Sequence, residues 1–257
     1  MSDIYKAPEA PLTDPSQESG EYGSLETALK GEYELSPIQV IKDAWESLEG
    51  FKTTFWLAAL AYMGVAIVVS IVLGLVFGLL TGFAEQGALA AISAVLQQIA
   101  STLILGPLAA GMYMLAIKFS VGSRIEVGEL FKYFHKMIPL FLMTLLMYAT
   151  VFIGLILLVL PGIYLMVAYA FAIPLMVEKN MGPWEALNTS RKIITHKWFN
   201  MLGFMIVASI VVLLGALALL VGLLWAVPLT TLATAFLYRD IIGVETSTLE
   251  DSLGRPN

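Results

Sequence analysis

The sequence predicts an all-α polytopic membrane protein, with six transmembrane helices in three repeats of an interfacial helix plus a helical hairpin. Three observations carry this expectation. The composition is 58% hydrophobic and 13% charged, whereas a soluble domain is nearer half apolar and a quarter charged. Residues 137–177 and 198–238, 41 positions each, contain no Asp, Glu, Lys, Arg or His. One crossing needs about 20 apolar residues, so each run holds two spans joined by a turn. Residues 53–117 carry a single charge, Glu85, and hold two more. A membrane barrel would instead alternate over strands of ~10 residues.

Residues 1–35 hold eight acids and two lysines among scattered prolines and glycines. That stretch cannot bury enough apolar surface to offset its ordering entropy, so a disordered acidic tail is expected. Tyr5-Lys6-Ala7-Pro8 reads either as a short docking motif or as plain solvated tail. The opening MSDIYKAPEAPL has no basic region followed by an apolar stretch, so no cleavable signal peptide is expected.

The membrane domain is expected over 36–243. Ser36-Pro37-Ile38-Gln39 suits a helix start, with Ser36 as cap, Pro37 in the first turn and Gln39 completing a capping box. Ile38, Ile41, Trp45 and Leu48 follow at helical spacing, opposite Lys42, Asp43, Glu46 and Glu49. An amphipathic surface helix follows from that pattern. The first span covers about Phe55–Leu80. Its Gly74, Gly78 and Gly82 fall four apart, a stripe that admits a neighbouring helix, within the monomer or in a dimer. Span two, about Ala91–Ile117, carries Gln97 and Gln98 near its outer end. They read either as helix-end polar groups or as the lining of a polar cavity.

Glu126–His135 gives a second short interfacial helix, with Leu130 and Phe131 on its apolar side. The third span is about Ile138–Leu158, Pro161-Gly162 marks the outer turn, and the fourth span runs to Val177. Gly182-Pro183 opens a third amphipathic helix, with Trp184 and Leu187 against Glu185 and Arg191. The fifth span is about Asn200–Val221. The sixth begins near Trp225 and ends at Tyr238-Arg239-Asp240, and 244–257 is left as a cytoplasmic C-terminal tail.

The connections repeat. Gly50-Phe51-Lys52, Phe134-His135-Lys136 and Thr195-His196-Lys197 each open an odd-numbered span. Lys118, Glu178 and Arg239 each precede a glycine by four residues, and Pro107-Leu108 matches Pro228-Leu229. All 14 Lys and Arg lie in the tails or in the segments around 36–52, 118–136 and 178–197. The positive-inside rule then puts both termini in the cytoplasm, with Trp56, Tyr133, Trp184 and Trp198 at the inner interface and Phe83 and Trp225 at the outer one. Trp45, Phe131 and Trp184, each followed by a lysine (Lys52, Lys136, Lys197), are the candidate membrane-interface residues.

Leu160-Pro161-Gly162, Glu178-Lys179, Glu185-Ala186 with Ser190-Arg191, and Tyr238-Arg239-Asp240 resemble a large group of uncharacterised bacterial six-helix inner-membrane proteins. The chain is also similar to the membrane domain fused to some glycerophosphodiester phosphodiesterases. The resemblance covers about 36–243 and implies a fold and a bacterial inner-membrane location. The catalytic barrel of those fusions is absent, so no catalytic residue follows from it.

Chemistry-bearing patterns are sparse. There is no cysteine, which excludes disulfides and thiolate-bound metals. His135 and His196 occupy equivalent positions, each beside a lysine at a helix entry, where an interfacial role outweighs a metal site. No Ser–His–Asp order, Walker loop or dinucleotide motif is present. The spans hold no mid-membrane ionisable group of the kind that coupled pumps use. The expectation is a non-enzymatic membrane-organising protein without cofactor. The alternative is a permease or channel for a neutral or amphiphilic solute. Expected partners are membrane lipids, with another membrane protein or a cytoplasmic partner of the tail as further candidates, and no nucleic acid.

Overall fold

The structure is a computed structural model that describes residues 22–82 and 87–253. Phe83, Tyr5–Pro8 and most of the acidic tail lie outside these residues. Every element among the described residues is helical: α1 (Leu25–Lys30), α2 (Pro37–Glu46), α3 (Leu48–Thr81), α4 (Ala88–Ser120), two 3-10 turns (Val127–Phe131 and Phe134–Lys136), α5 (Met137–Leu157), α6 (Val159–Ala168), α7 (Ala172–Glu178), α8 (Pro183–His196), α9 (Trp198–Leu217), α10 (Leu223–Ile242) and α11 (Thr246–Leu253). Among the described residues five stretches are long and apolar enough to cross a membrane: Leu48–Thr81, Ala88–Ser120, Val127–Leu157, Val159–Glu178 and Trp198–Leu217.

The helix expected as the sixth span forms as α10 but is less apolar than the other five. Thr230, Thr231 and Thr234 dilute it, and Arg239 and Asp240 close it. Its environment gives the reason. α10 packs against α1, α2, α3, α4 and α9, and most of its second half is buried. A helix that faces protein can carry hydroxyls, which here bond back to its own carbonyls: Thr231 Oγ1 donates to Val227 O at 2.9 Å and Thr234 Oγ1 to Thr230 O at 2.8 Å.

Helices pair as three hairpins: α3 with α4, α5 with α6 and its continuation α7, and α9 with α10. Each amphipathic segment packs on both helices of one hairpin, the second and third on the hairpin before them and the first on the last. The first 3-10 turn lies on α3 and α4, α8 on α5 and α6, and α2 on α9 and α10. The first segment thus meets the last hairpin and the chain closes on itself. The buried core gathers around the ends of α3, α4 and α10 that meet these segments. In the most apolar stretches of α3 and α4 no residue is fully buried.

Several boundaries differ from the sequence reading. Residues 22–35 form structure where disorder was expected. Ser24 caps α1, accepting the Thr27 N–H at 3.2 Å. Ala28 and Leu35 are buried, and Asn200 Nδ2 donates to Leu35 O at 3.0 Å. Few apolar residues suffice there because α8 and α10 supply the rest of the surface. The C-terminal tail likewise carries α11, packed on α4. Gln39 completes no capping box and donates instead to Asp43 Oδ1 at 2.8 Å. The second surface segment is two 3-10 turns rather than an α-helix. Leu130 is pressed so close to α4 that a Cβ on Gly111 would lie 2.5 Å from its Cα. Pro161-Gly162 sits in the first turn of α6, and the chain reverses at the extended Leu158.

Two of the three expected packing glycines, Gly74 and Gly82, make no close approach. A Cβ on Gly74 or Gly82 meets nothing within 4 Å. Gly82 instead ends α3 at φ 63°, donating to the Gly78 and Leu79 carbonyls, the left-handed cap that glycine adopts without strain. Close approach occurs inside the other two hairpins. A Cβ on Gly154 would lie 3.0 Å from Gly162 N, and one on Gly222 would lie 2.6 Å from Gly215 Cα.

Candidate functional site

The amphipathic segments form the first candidate surface. Trp45, Phe131 and Trp184 are 57%, 48% and 61% exposed, while Ala44, Leu130 and Leu187 of the same segments are buried. The three aromatic side chains are therefore available to the surroundings, Trp184 at the edge of a groove against α5 and α6. Their lysines turn toward protein. Lys136 Nζ donates to Val177 O at 2.9 Å and Met176 O at 3.3 Å, placing a cation on the carbonyl end of α7. Lys197 Nζ lies 6.0 Å from the Tyr33 ring and Lys52 Nζ 5.0 Å from the Trp225 ring.

That last contact corrects the placement of Trp225 at the interface opposite Lys52 and Trp56. Trp56 Nε1 donates to Leu224 O at 2.9 Å. Groups in contact cannot lie across a hydrocarbon core of about 30 Å. The second hairpin shows a related contact. Tyr164 OH lies 2.6 Å from Thr195 Oγ1, and Trp198 Nε1 donates to Tyr164 O at 3.2 Å.

A buried polar node holds the helix ends. Tyr238 OH donates to Glu178 Oε2 at 2.9 Å, and the Glu245 N–H donates to Oε1. Lys179 Nζ lies 3.6 Å from Glu178 and 3.1 Å from Glu245. Nearby, Lys118 Nζ is 3.2 Å from Glu129 Oε2, with both side chains buried. Buried charges persist where they are paired: the Lys118–Glu129 pair ties α4 to the first 3-10 turn, and Glu178 joins α7 to α10 and to the segment at Glu245.

Between α6 and α7 the helix breaks, and Ser190 of α8 fills the break. Its Oγ donates to Ala168 O at 2.7 Å and accepts the Phe171 N–H at 3.2 Å. Two backbone groups freed inside apolar surroundings are thereby satisfied. The sequence showed Ser190 only as part of a motif, with no sign of this contact.

A cleft of about 400 Å³ opens between α3, α4 and α10, lined by Tyr62, Tyr113, Thr230, Thr231 and Thr234 with Phe55, Met63 and Met112. The phenols of Tyr62 and Tyr113 make no hydrogen bond among the described residues. Sequence reading missed this cleft, although the threonine cluster in the sixth span was its visible signal. The structure gives the expected polar cavity at Gln97 and Gln98 no support among the clefts named here. Gln98 Nε2 donates to Thr102 Oγ1 of its own helix at 3.3 Å, and neither glutamine lines a cleft described here.

His135 and His196 stay apart, each near a main-chain carbonyl: Lys132 O at 2.9 Å and Leu29 O at 3.1 Å. Among the described residues no three His, Cys, Asp or Glu converge as metal ligands. No family model, curated protein or solved structure matches this chain.

Proposed function

We propose that the chain is a non-enzymatic integral protein of a bacterial inner membrane that organises lipids or a partner protein at the cytoplasmic face. In this reading the chain is three repeats of amphipathic segment plus hairpin, with six helices embedded and both termini cytoplasmic. The carrying observation is the exposure of Trp45, Phe131 and Trp184 on segments that otherwise dock on the hairpins. Apolar side chains on a charged segment suit the headgroup boundary. The confinement of all 14 Lys and Arg to tails and these segments supports one common face.

Depth-dependent quenching of reporters at positions 45 and 184 tests the reading. Both are expected at headgroup depth. A reporter fully in water, or at the bilayer centre, overturns it.

The cleft of Tyr62 and Tyr113 favours a second reading, a permease or channel for a neutral or amphiphilic solute. Its walls are mostly apolar, and two phenols remain to be satisfied. Solute flux into proteoliposomes that is lost on Tyr113→Phe would favour this reading over the first.

A further inference from the structure

A groove between α5, α6 and α8 is apolar along its floor and cationic at its rim. Its volume is about 440 Å³, in the range of small-ligand pockets. Ile153, Leu157 and Leu165 line it from the hairpin, and Trp184, Asn188 and Arg191 line it from α8. Among the described residues Arg191 pairs with no carboxylate. Its Nη2 donates to Asn188 Oδ1 at 2.9 Å. The acid of α8, Glu185, is engaged elsewhere, accepting the Gly182 N–H at 3.3 Å. A guanidinium offers five donors in a planar fork suited to phosphate, so most of this one stays available. Residues 183–197 set Arg191, Lys192 and Lys197 against the single acid Glu185.

We propose that this groove is a binding site for one anionic phospholipid. Arg191 holds the phosphate and Asn188 positions the guanidinium. An acyl chain lies along Ile153, Leu157 and Leu165, and the exposed Trp184 indole flanks the headgroup, where indoles are favoured. The cationic excess of α8 disfavours a headgroup that carries its own ammonium, so the site selects net negative lipid over zwitterionic lipid. A free phosphate ion shares the headgroup chemistry but leaves the apolar floor uncovered. The inference rests on the membrane reading above and goes beyond a general surface attraction by naming one site.

The test uses the full chain purified in mild detergent, offered phosphatidylglycerol or phosphatidylcholine at equal mole fraction. Retained lipid is counted by native mass spectrometry, with inorganic phosphate as competitor. Phosphatidylglycerol is expected to be retained over phosphatidylcholine and to resist the competitor. Arg191→Gln should lower its retention about tenfold, the loss of a charge-assisted contact. Ile153→Trp, at an exposed position that fills the floor, should lower it with Arg191 intact. Equal retention of both lipids, displacement by phosphate, or unchanged retention in Ile153→Trp overturns the site. So does unchanged retention in a folded Arg191→Gln protein; should that variant lose its helical circular dichroism, Ile153→Trp decides. Carbonate extraction of the same cell membranes reads the membrane assignment separately. A chain that resists extraction yet selects no anionic lipid sinks this site alone.

Discussion

The ammonium of Lys52 sits 5.0 Å from the centre of the Trp225 ring. Lys52 lies in the opening turns of the first hairpin and Trp225 in those of the returning helix of the third, so the contact joins these two hairpins. It also fixes relative depth. α3 is 34 residues long, roughly 51 Å at 1.5 Å per residue, and most of that length runs on beyond Lys52. The turn between α9 and α10 stays beside α3's first turns, so the third hairpin is shallower than the first. Lys52→Met and Trp225→Leu should each lower stability, with a coupling of about 1 kcal/mol between them. A double-mutant cycle by chemical unfolding in detergent reads that coupling, and strict additivity would contradict the contact.

The hairpin glycines carry a sharper contrast. A Cβ on Gly215 would lie 2.9 Å from Ala226 Cβ and 3.0 Å from the Gly222 carbonyl. Gly215→Ala should therefore destabilise by about 1–3 kcal/mol, the usual cost of overpacking. Gly74→Ala meets no atom within 4 Å, and alanine favours a helix over glycine by about 1 kcal/mol, so that variant should melt no lower than the parent. Thermal melting in one detergent compares the two, and equal losses would remove the distinction between hairpin glycines and stripe glycines.

The difference between those two sites marks what the sequence could show. Charge-free runs located the membrane helices, because an unpaired charge in lipid is costly whatever the fold. The matched entries at Lys52, Lys136 and Lys197 located the surface segments. Partner choice was not legible. Gly74 and Gly215 look alike in sequence, and only the third dimension shows that one faces open space and the other a backbone. Ser190 is similar, since a buried serine that fills a helix break has no local signature. The packing of residues 22–35 was hidden because most of the apolar surface burying Ala28 and Leu35 belongs to distant helices. The cleft hydroxyls of Thr230, Thr231 and Thr234 were visible, but the converging Tyr62 and Tyr113 were not.

Tyr33 gives a pH dependence. Its hydroxyl donates to Ile193 O at 2.8 Å, and burial pushes the phenol up to about 12 from an ordinary value near 10. The folded chain holds this proton more tightly than the unfolded chain. The resulting stability is complete below a pH of about 10 and is lost as pH rises through about 12. Tyr33→Phe should flatten the fall in melting temperature across that window. The same alkaline fall in both proteins would show that the phenol titrates without restraint.

Single cysteines give the most direct test of three hairpins entering from one cytoplasmic face at unequal depth, because the native chain contains none. A membrane-impermeant maleimide applied to intact cells should label position 87, at the turn of the long α3–α4 hairpin, and spare position 128 in the 3-10 turns, which the proposed topology puts in the cytoplasm. It should also spare position 222, held beside the start of α3. Labelling at 128 with protection at 87 would invert the orientation. Labelling at 222 as strong as at 87 would contradict the docking of the third hairpin beside Lys52.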